Sequence, residues 1–473
     1  MKTSGFVWKF AAICFAALVL VGFPSCDILD SDIPEEERLL LKANQFVYDY
    51  TSEAYLWEQY IPSDITYKSA SNPIDLFDMM KYKEMDLWSY VTDNSQEALE
   101  EFQGVATTFG YSLAFGVFPN LQDRYFAVVQ YVYPNSPAEK AGLKRGDFLL
   151  TLNDAYLNKD NYMQLYYGST IALGLGEVAS DGSVGLSGKS VTMTAVKMYE
   201  DPVVDYRVIE AGDKKIGYLF YAGFYEESHQ KLVEVFNGFS SAGVTELILD
   251  LRYNLGGNAK TPPYLASMIA PLGAVEQKSV FLTQRWNDLY MDYFHRTDED
   301  MQTYFLPDIP VNLNLGRVYV LTSGSTASAS EATISGLMPY MDVIKVGTST
   351  YGKYCGAALL TPTDKNGDPD NEISNWLLSL VIYKFVNIQG FTDFKDGIAP
   401  DFEVEDDGLL AGIPLGDTAD PMIARAIEHI TGVKTKAPGV PVPACVVPVP
   451  HLGENPMRGG MNVVMDINVR QSN

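Results

Sequence analysis

From Ala43 the apolar residues Ala43, Phe46, Val47, Tyr50, Ala54 and Trp57 recur at three- and four-residue spacing, which lays them along one face of a helix and predicts that they pack into a core. The residues before them supply a start: Asp32 can cap, Pro34 suits an early helical position, and Glu35, Glu36 and Glu37 favour the positive end of the helix dipole. A small helical region over 34–105 is expected, broken near Pro62 and at the polar run 69–72. The pattern then shortens. Residues 127–132 and 148–153 read as strands on either side of a short helix within 134–143, closed by Gly142, in a β-rich module over 106–199. Beyond it, 216–220, 246–250, 317–321 and 343–346 read as strands. Helices are expected over 226–241, after Ser328, and over 420–432. Strands alternating with helices predict an α/β domain over 200–432 with a mixed, largely parallel sheet. The tail, 433–473, is different: Pro438, Pro441, Pro443, Pro448 and Pro450 punctuate Val-rich sequence, so an extended strap is expected, with an edge strand over 461–469 and no chemistry.

A length of 473 residues suits about three domains. Lys and Arg number 34 against 60 Asp and Glu, a net charge of −26, which argues against a nucleic-acid partner because phosphate contacts need basic patches. With 47% apolar residues, 30 Tyr and 23 Phe, the chain is globular in composition. Lys2 and Lys9 precede an apolar run, 10–23, that ends at Pro24-Ser25-Cys26, so residues 1–25 read as an export signal. The run is shorter than the roughly 20 residues a spanning helix needs. Cys26 at the junction resembles the lipidated cysteine of a bacterial lipoprotein, although Phe23 and Pro24 depart from the usual box. Residues 26–33 would then be an acidic tether to an outer-membrane anchor, on the periplasmic or the surface face. With Cys14 and Cys26 so used, Cys355 and Cys445 remain, which excludes a disulfide framework and leaves a single bond between them open.

The chemistry concentrates in three segments. The first, Asp250-Leu251-Arg252-Tyr253-Asn254-Leu255-Gly256-Gly257, follows a buried strand; its glycines let backbone amides approach a substrate oxygen, so Gly256 or Gly257 could give one oxyanion donor and Ala329 the other. Arg252 would organise this loop through a carboxylate that the sequence does not name. The second, Gly324-Ser325-Thr326-Ala327-Ser328-Ala329-Ser330-Glu331, places Ser328 where a strand gives way to a helix, although Ser328 and Glu331 also fit the spacing of a capping box. Ser325 and Ser330 are rival nucleophiles by type. The third, 347–353, ends in Lys353, which can activate a serine only when neutral and therefore only in a desolvated setting or beside another cation.

In this order, with Ser328 and Lys353 25 residues apart, these segments resemble the carboxyl-terminal processing (tail-specific) proteases, serine peptidases with a Ser/Lys dyad; the likeness runs over about 112–401 and includes Gly397-Ile398-Ala399-Pro400-Asp401. The run Ser136-Pro137-Ala138 with Ala141-Gly142-Leu143 and Gly146-Asp147 is similar to the PDZ domain of exported proteases. The resemblance implies Ser328 as nucleophile, Lys353 as base, and a PDZ module whose loop at Leu113, Ala114, Phe115 and Gly116 receives a terminal carboxylate. It implies polypeptide substrates of the cell envelope that are unfolded or expose their C-termini, with no cofactor and no metal. The chain departs from the family at Ala357, where an orienting glutamine is usual, which leaves open a weak or inactive peptide-binding protein, or a binder of hydrophobic ligands, on the same fold. His229, His295, His429 and His451 are scattered and form no zinc motif; His229 is the alternative base. Asp364, Asn366, Asp368 and Asp370 are out of register for a calcium loop and read as a hairpin turn. Oligomeric state is not legible.

Overall fold

The computed structural model describes residues 34–118, 121–179, 183–364, 366–433 and 447–448. The export signal, Asp32, Cys26, Cys445 and the strand expected over 461–469 lie outside them. The chain divides into two compact units, one drawing on residues 1–99, 287–290 and 357–382, the other on 100–286, 291–356 and 383–473.

In the first unit the predicted amphipathic helix forms as Glu35–Ala54 (α1), with Ala43, Phe46, Val47 and Ala54 buried and three glutamates in its first turn. A second helix, Pro73–Met80 (α2), explains the polar run before it: the Asn72 side chain caps by accepting the Asp75 N–H at 2.9 Å. The region is not helical throughout. Tyr90–Thr92 (β1) pairs antiparallel with Thr92 opposite Leu377 and Tyr90 opposite Ser379, so a segment 285 residues downstream completes the unit. Local period could not reveal such a partner. The 364–370 segment turns as expected, with Asp364 N–H donating to Asp368 O at 2.7 Å and Gly367 N–H to Asp364 O at 2.9 Å.

In the second unit a β-rich module contains Tyr111–Phe118 (β2), Leu121–Val132 (β3), the short helix Pro137–Lys140 (α3), Phe148–Leu152 (β4), Thr170–Val178 (β5) and Val184–Thr194 (β6), with β2 to β6 side by side in that order. Phe109, Leu113, Phe115, Val129, Leu149, Tyr162 and Leu173 share its core. Ser136 caps α3 by accepting the Glu139 N–H at 3.1 Å. Val105–Thr108 pairs with Val196–Tyr199, which ties the two ends of the module together.

The remainder of this unit is built on a six-stranded sheet. Val203–Ala211 (β7) and Lys214–Tyr221 (β8) form an antiparallel pair, and Glu246–Asp250 (β9), Arg317–Thr322, Asp342–Gly347 and Phe402–Glu403 extend it in parallel. Helices His229–Ala242 (α4), Thr261–Ile269 (α5), Ala329–Leu337 (α6) and Pro421–Thr431 (α7) alternate with the strands. Val280–Trp286 is β10, and Arg317–Thr322, Asp342–Gly347, Leu377–Val386 and Phe402–Glu403 are β11 to β14. Tyr218, Phe220, Ile248, Tyr319, Leu321 and Val346 meet Met422, Ile423 and Ile427 of α7 in one apolar cluster. The mixed, largely parallel sheet is therefore as predicted. The antiparallel pairing of β10 with Tyr383–Val386 of β13 was not, because 280–286 has no turn signal joining it to its distant partner. Among the described residues no helix is long and apolar enough to cross a membrane.

Candidate active site

Three adjacent parallel strands each deliver one of the three segments at their carboxyl ends. Asp250 of β9 lies opposite Leu321 of β11, and Thr322 of β11 lies opposite Gly347 of β12. Beyond those residues come the glycine loop, the serine and the lysine in turn, at the edge where α/β sheets open their sites.

Ser328 is half-buried at the start of α6 and takes φ 55°, ψ −110°, a conformation that costs a non-glycine residue about 1–3 kcal/mol. Its N–H donates to Glu331 Oε2 at 2.8 Å. The capping-box spacing is thus used, but in a backbone conformation unlike that of an ordinary cap. Glu331 does more than cap. Its Oε2 also accepts the Lys353 N–H at 2.9 Å, while Oε1 accepts the Gly352 N–H at 2.7 Å and the Thr350 hydroxyl at 2.6 Å. Both backbone nitrogens touch one oxygen, so the serine and lysine main chains lie within about 5.7 Å of each other. Burial pushes the Glu331 carboxyl up to about 7, against these four hydrogen bonds, which favour its ionised form. Lys353 is 4% exposed, the setting a lysine base requires. The Thr350 N–H also donates to Ile398 O at 3.1 Å and its hydroxyl oxygen accepts the Ile398 N–H at 2.7 Å, which gives the 397–401 segment its role as a brace for the lysine loop.

Asn254 locks the glycine loop to the serine turn. It is fully buried, donates from Nδ2 to Tyr221 O at 2.7 Å, and its carbonyl accepts the Ala327 N–H at 3.0 Å and the Ser330 hydroxyl at 2.9 Å. Ser330 is thereby committed to structure. Asn254 Oδ1 accepts the Gly256 N–H at 2.9 Å, which corrects the expectation that Gly256 could be an oxyanion donor. Among the described residues the N–H groups of Gly257 and Ala329 meet no acceptor, and Gly256 brings the two turns together: a Cβ there would stand 2.8 Å from Ser328 Cβ and 2.9 Å from Ala329 N. With φ +103° as well, Gly256→Ala should lower kcat/KM at least tenfold, checked with a peptide substrate beside a urea midpoint.

Arg252 finds the carboxylates that the sequence could not name. Its guanidinium donates to the buried Asp250 at 2.9–3.1 Å and Asp420 at 2.8 Å, and to the half-buried Asp406 at 2.9 Å. Burial opposes the Asp420 charge, but Arg252 and Arg145 outweigh it and hold that carboxyl below its ordinary value. Arg145, from the β-rich module, donates to Asp406 at 2.7 Å and to the Tyr253 hydroxyl at 2.6 Å.

The structure leaves other sequence candidates apart. His229 stacks on Tyr264 with centroids 3.8 Å apart, and its Nε2 meets the Thr261 hydroxyl at 3.1 Å. Burial lowers its basicity. Leu113, Ala114, Phe115 and Gly116 lie within strand β2 and not in a loop, because Leu113 and Phe115 alternate into the module core; the register with β3 shifts on either side of them, between Ser112 and Leu113 and between Val117 and Phe118. Ala357 is exposed, Cys355 is buried, and no group of three or more metal-binding side chains occurs among the described residues. Asn254 and the second role of Glu331 were missed, although Asn two residues before Gly is itself a turn signal.

Comparison with known proteins agrees with this arrangement. The model of peptidase family S41 matches residues 215–404, that of the S41 N-terminal domain 42–90, and a PDZ domain model 128–164. The chain is 24% identical over 276 residues to the carboxy-terminal processing protease CtpA of Bacillus subtilis (strain 168), covering 57% of this chain and 51% of that one. It is 23% identical over 306 residues to the chloroplastic C-terminal processing peptidase of Tetradesmus obliquus, covering 61% and 60%. The chain thus spans about half to three-fifths of the curated relatives it matches. A crystal structure assigned as an S41 protease from Bacteroides fragilis NCTC 9343 superposes with a TM-score of 0.68 at 27% identity, covering 82% of this chain and 98% of that one. Fold, motif order and these matches agree on a peptidase family S41 domain over residues 215–404, preceded by a PDZ domain match at 128–164, in a chain similar to the carboxyl-terminal processing proteases.

Proposed function

We propose that this protein is a serine endopeptidase of the cell envelope, exported and lipid-anchored through Cys26, that cleaves polypeptides with exposed C-termini. The observation that carries the catalytic reading is the single carboxylate of Glu331 holding the main chains of Ser328 and Lys353 at once. In the reaction Ser328 Oγ bonds to the scissile carbonyl carbon and its proton passes to Lys353 Nζ. The N–H groups of Gly257 and Ala329 receive the oxyanion. The C–N bond then breaks as Lys353 returns the proton to the leaving amine, and water repeats the cycle on the acyl-enzyme. The PDZ module presents the substrate tail as an added strand.

A fluorophosphonate probe tests the nucleophile directly. It should label the wild type on Ser328 and leave Ser328→Ala unlabelled; a folded wild-type chain that resists the probe and cleaves nothing would favour a peptide-binding protein instead. Glu331→Gln tests the fastening. An amide offers one acceptor and presents its NH2 to N–H groups now held by a carboxylate, so kcat/KM should fall at least thirty-fold with the fold retained. In the wild type, activity should rise with pH through about 7 as Glu331 ionises.

A further inference from the structure

The free edge of β2 is not bare. Val447–Pro448 (β15) pairs antiparallel with it, Val447 opposite Val117 and Pro448 opposite Gly116. The other edge of β2 is already taken, since Gly116 lies opposite Phe126 and Val117 opposite Tyr125 of β3. The tail therefore uses the remaining backbone groups of the segment that the proposed function assigns to the substrate.

We propose that the C-terminal segment around Val447 is a built-in competitor of substrate: it occupies the peptide-accepting edge of the PDZ module and must be displaced before a substrate tail can join β2. The inference rests on the reading of β2 as the substrate edge. Strand addition uses main-chain hydrogen bonds, so two segments cannot share the same residues of one edge. Only 14 residues separate Gly432 at the end of α7 from Val447, and a tether that short sets an effective concentration on the order of millimolar. Proline fits a displaceable occupant. Pro448 has no N–H to donate, so its pairing with Gly116 lacks one of the hydrogen bonds an ordinary residue would make and is the weaker for it. A substrate tail with a free carboxylate and a longer ladder can win; a weak or internal segment cannot.

The test uses the full-length chain carrying Ser328→Ala, with and without residues 444–451 replaced by an equal length of Gly and Ser. Hydrogen exchange should show the 111–118 amides protected in the first chain and faster in the second. A fluorescein-labelled peptide with a free C-terminal carboxylate should bind the replaced chain at least tenfold more tightly, and an unlabelled peptide of sequence 443–452 should restore protection and compete. Equal affinity for the two chains, or unchanged exchange in β2, overturns the proposal. Loss of protection with no peptide binding by either chain also overturns it, by showing a tail that braces the module and regulates nothing. Probe labelling of Ser328 in the otherwise wild-type chain judges the peptidase reading independently of all these outcomes.

Discussion

Lys353→Arg should abolish cleavage of an unfolded protein, down to the level of Ser328→Ala, while leaving the chain folded. Arginine keeps the positive charge and nearly the length of lysine, but a guanidinium does not lose its proton in the working range and cannot accept one from Ser328. A general base is worth about 10²–10⁴ in rate, and a lysine that is 4% exposed has no bulk water to substitute for it. The Lys353 N–H bond to Glu331 is made by the main chain, so the substitution leaves that fastening in place. His229→Ala is the counterpart. Its ring is engaged by Tyr264 and Thr261, and its loss should leave most activity intact. A Lys353→Arg enzyme that cleaves normally beside an inactive His229→Ala would overturn the dyad.

Arg252→Met should destabilise the chain by about 3–5 kcal/mol, a large share of the 5–15 kcal/mol that typically separates folded from unfolded states. The arginine is fully buried, and removing it leaves Asp250 and Asp420 without their guanidinium in a site that water does not reach. Tyr218 would still donate to Asp250 at 2.8 Å, and Arg145 would still reach Asp406, so compensation is partial. Urea unfolding of Arg252→Met beside the exposed Lys260→Ala, which should shift the midpoint little, reads the difference. Equal midpoints would show that the cluster contributes specificity and not stability.

Much of this was legible in the sequence. Each of the three motif segments is short, continuous and tied to a local backbone need, so their types and order survive without a structure. What escaped is long-range. Asp406 and Asp420 reach Arg252 from more than 150 residues away, and β13 completes sheets begun near Tyr90 and Val280. Glu331 escaped for a different reason: a cap already explained it three residues after Ser328, and only the fold brings Thr350, Gly352 and Lys353 to the same carboxylate. The choice between Gly256 and Gly257 turns on one side chain, Asn254, which spends the first N–H and leaves the second.

Since all three segments leave the carboxyl ends of β9, β11 and β12, the opposite ends of those strands are mechanically remote from the reaction. There Glu246 and Arg317 begin two of the strands and pair at 2.7–2.8 Å, and Gly316 sits in a turn where an added Cβ meets open space, whereas Gly243, at φ +74°, is held to glycine by its left-handed backbone. Evolution therefore has two separate dials on one sheet, one edge for turnover and the other for durability. A library confined to the turn at Gly316 would vary durability without retuning the enzyme.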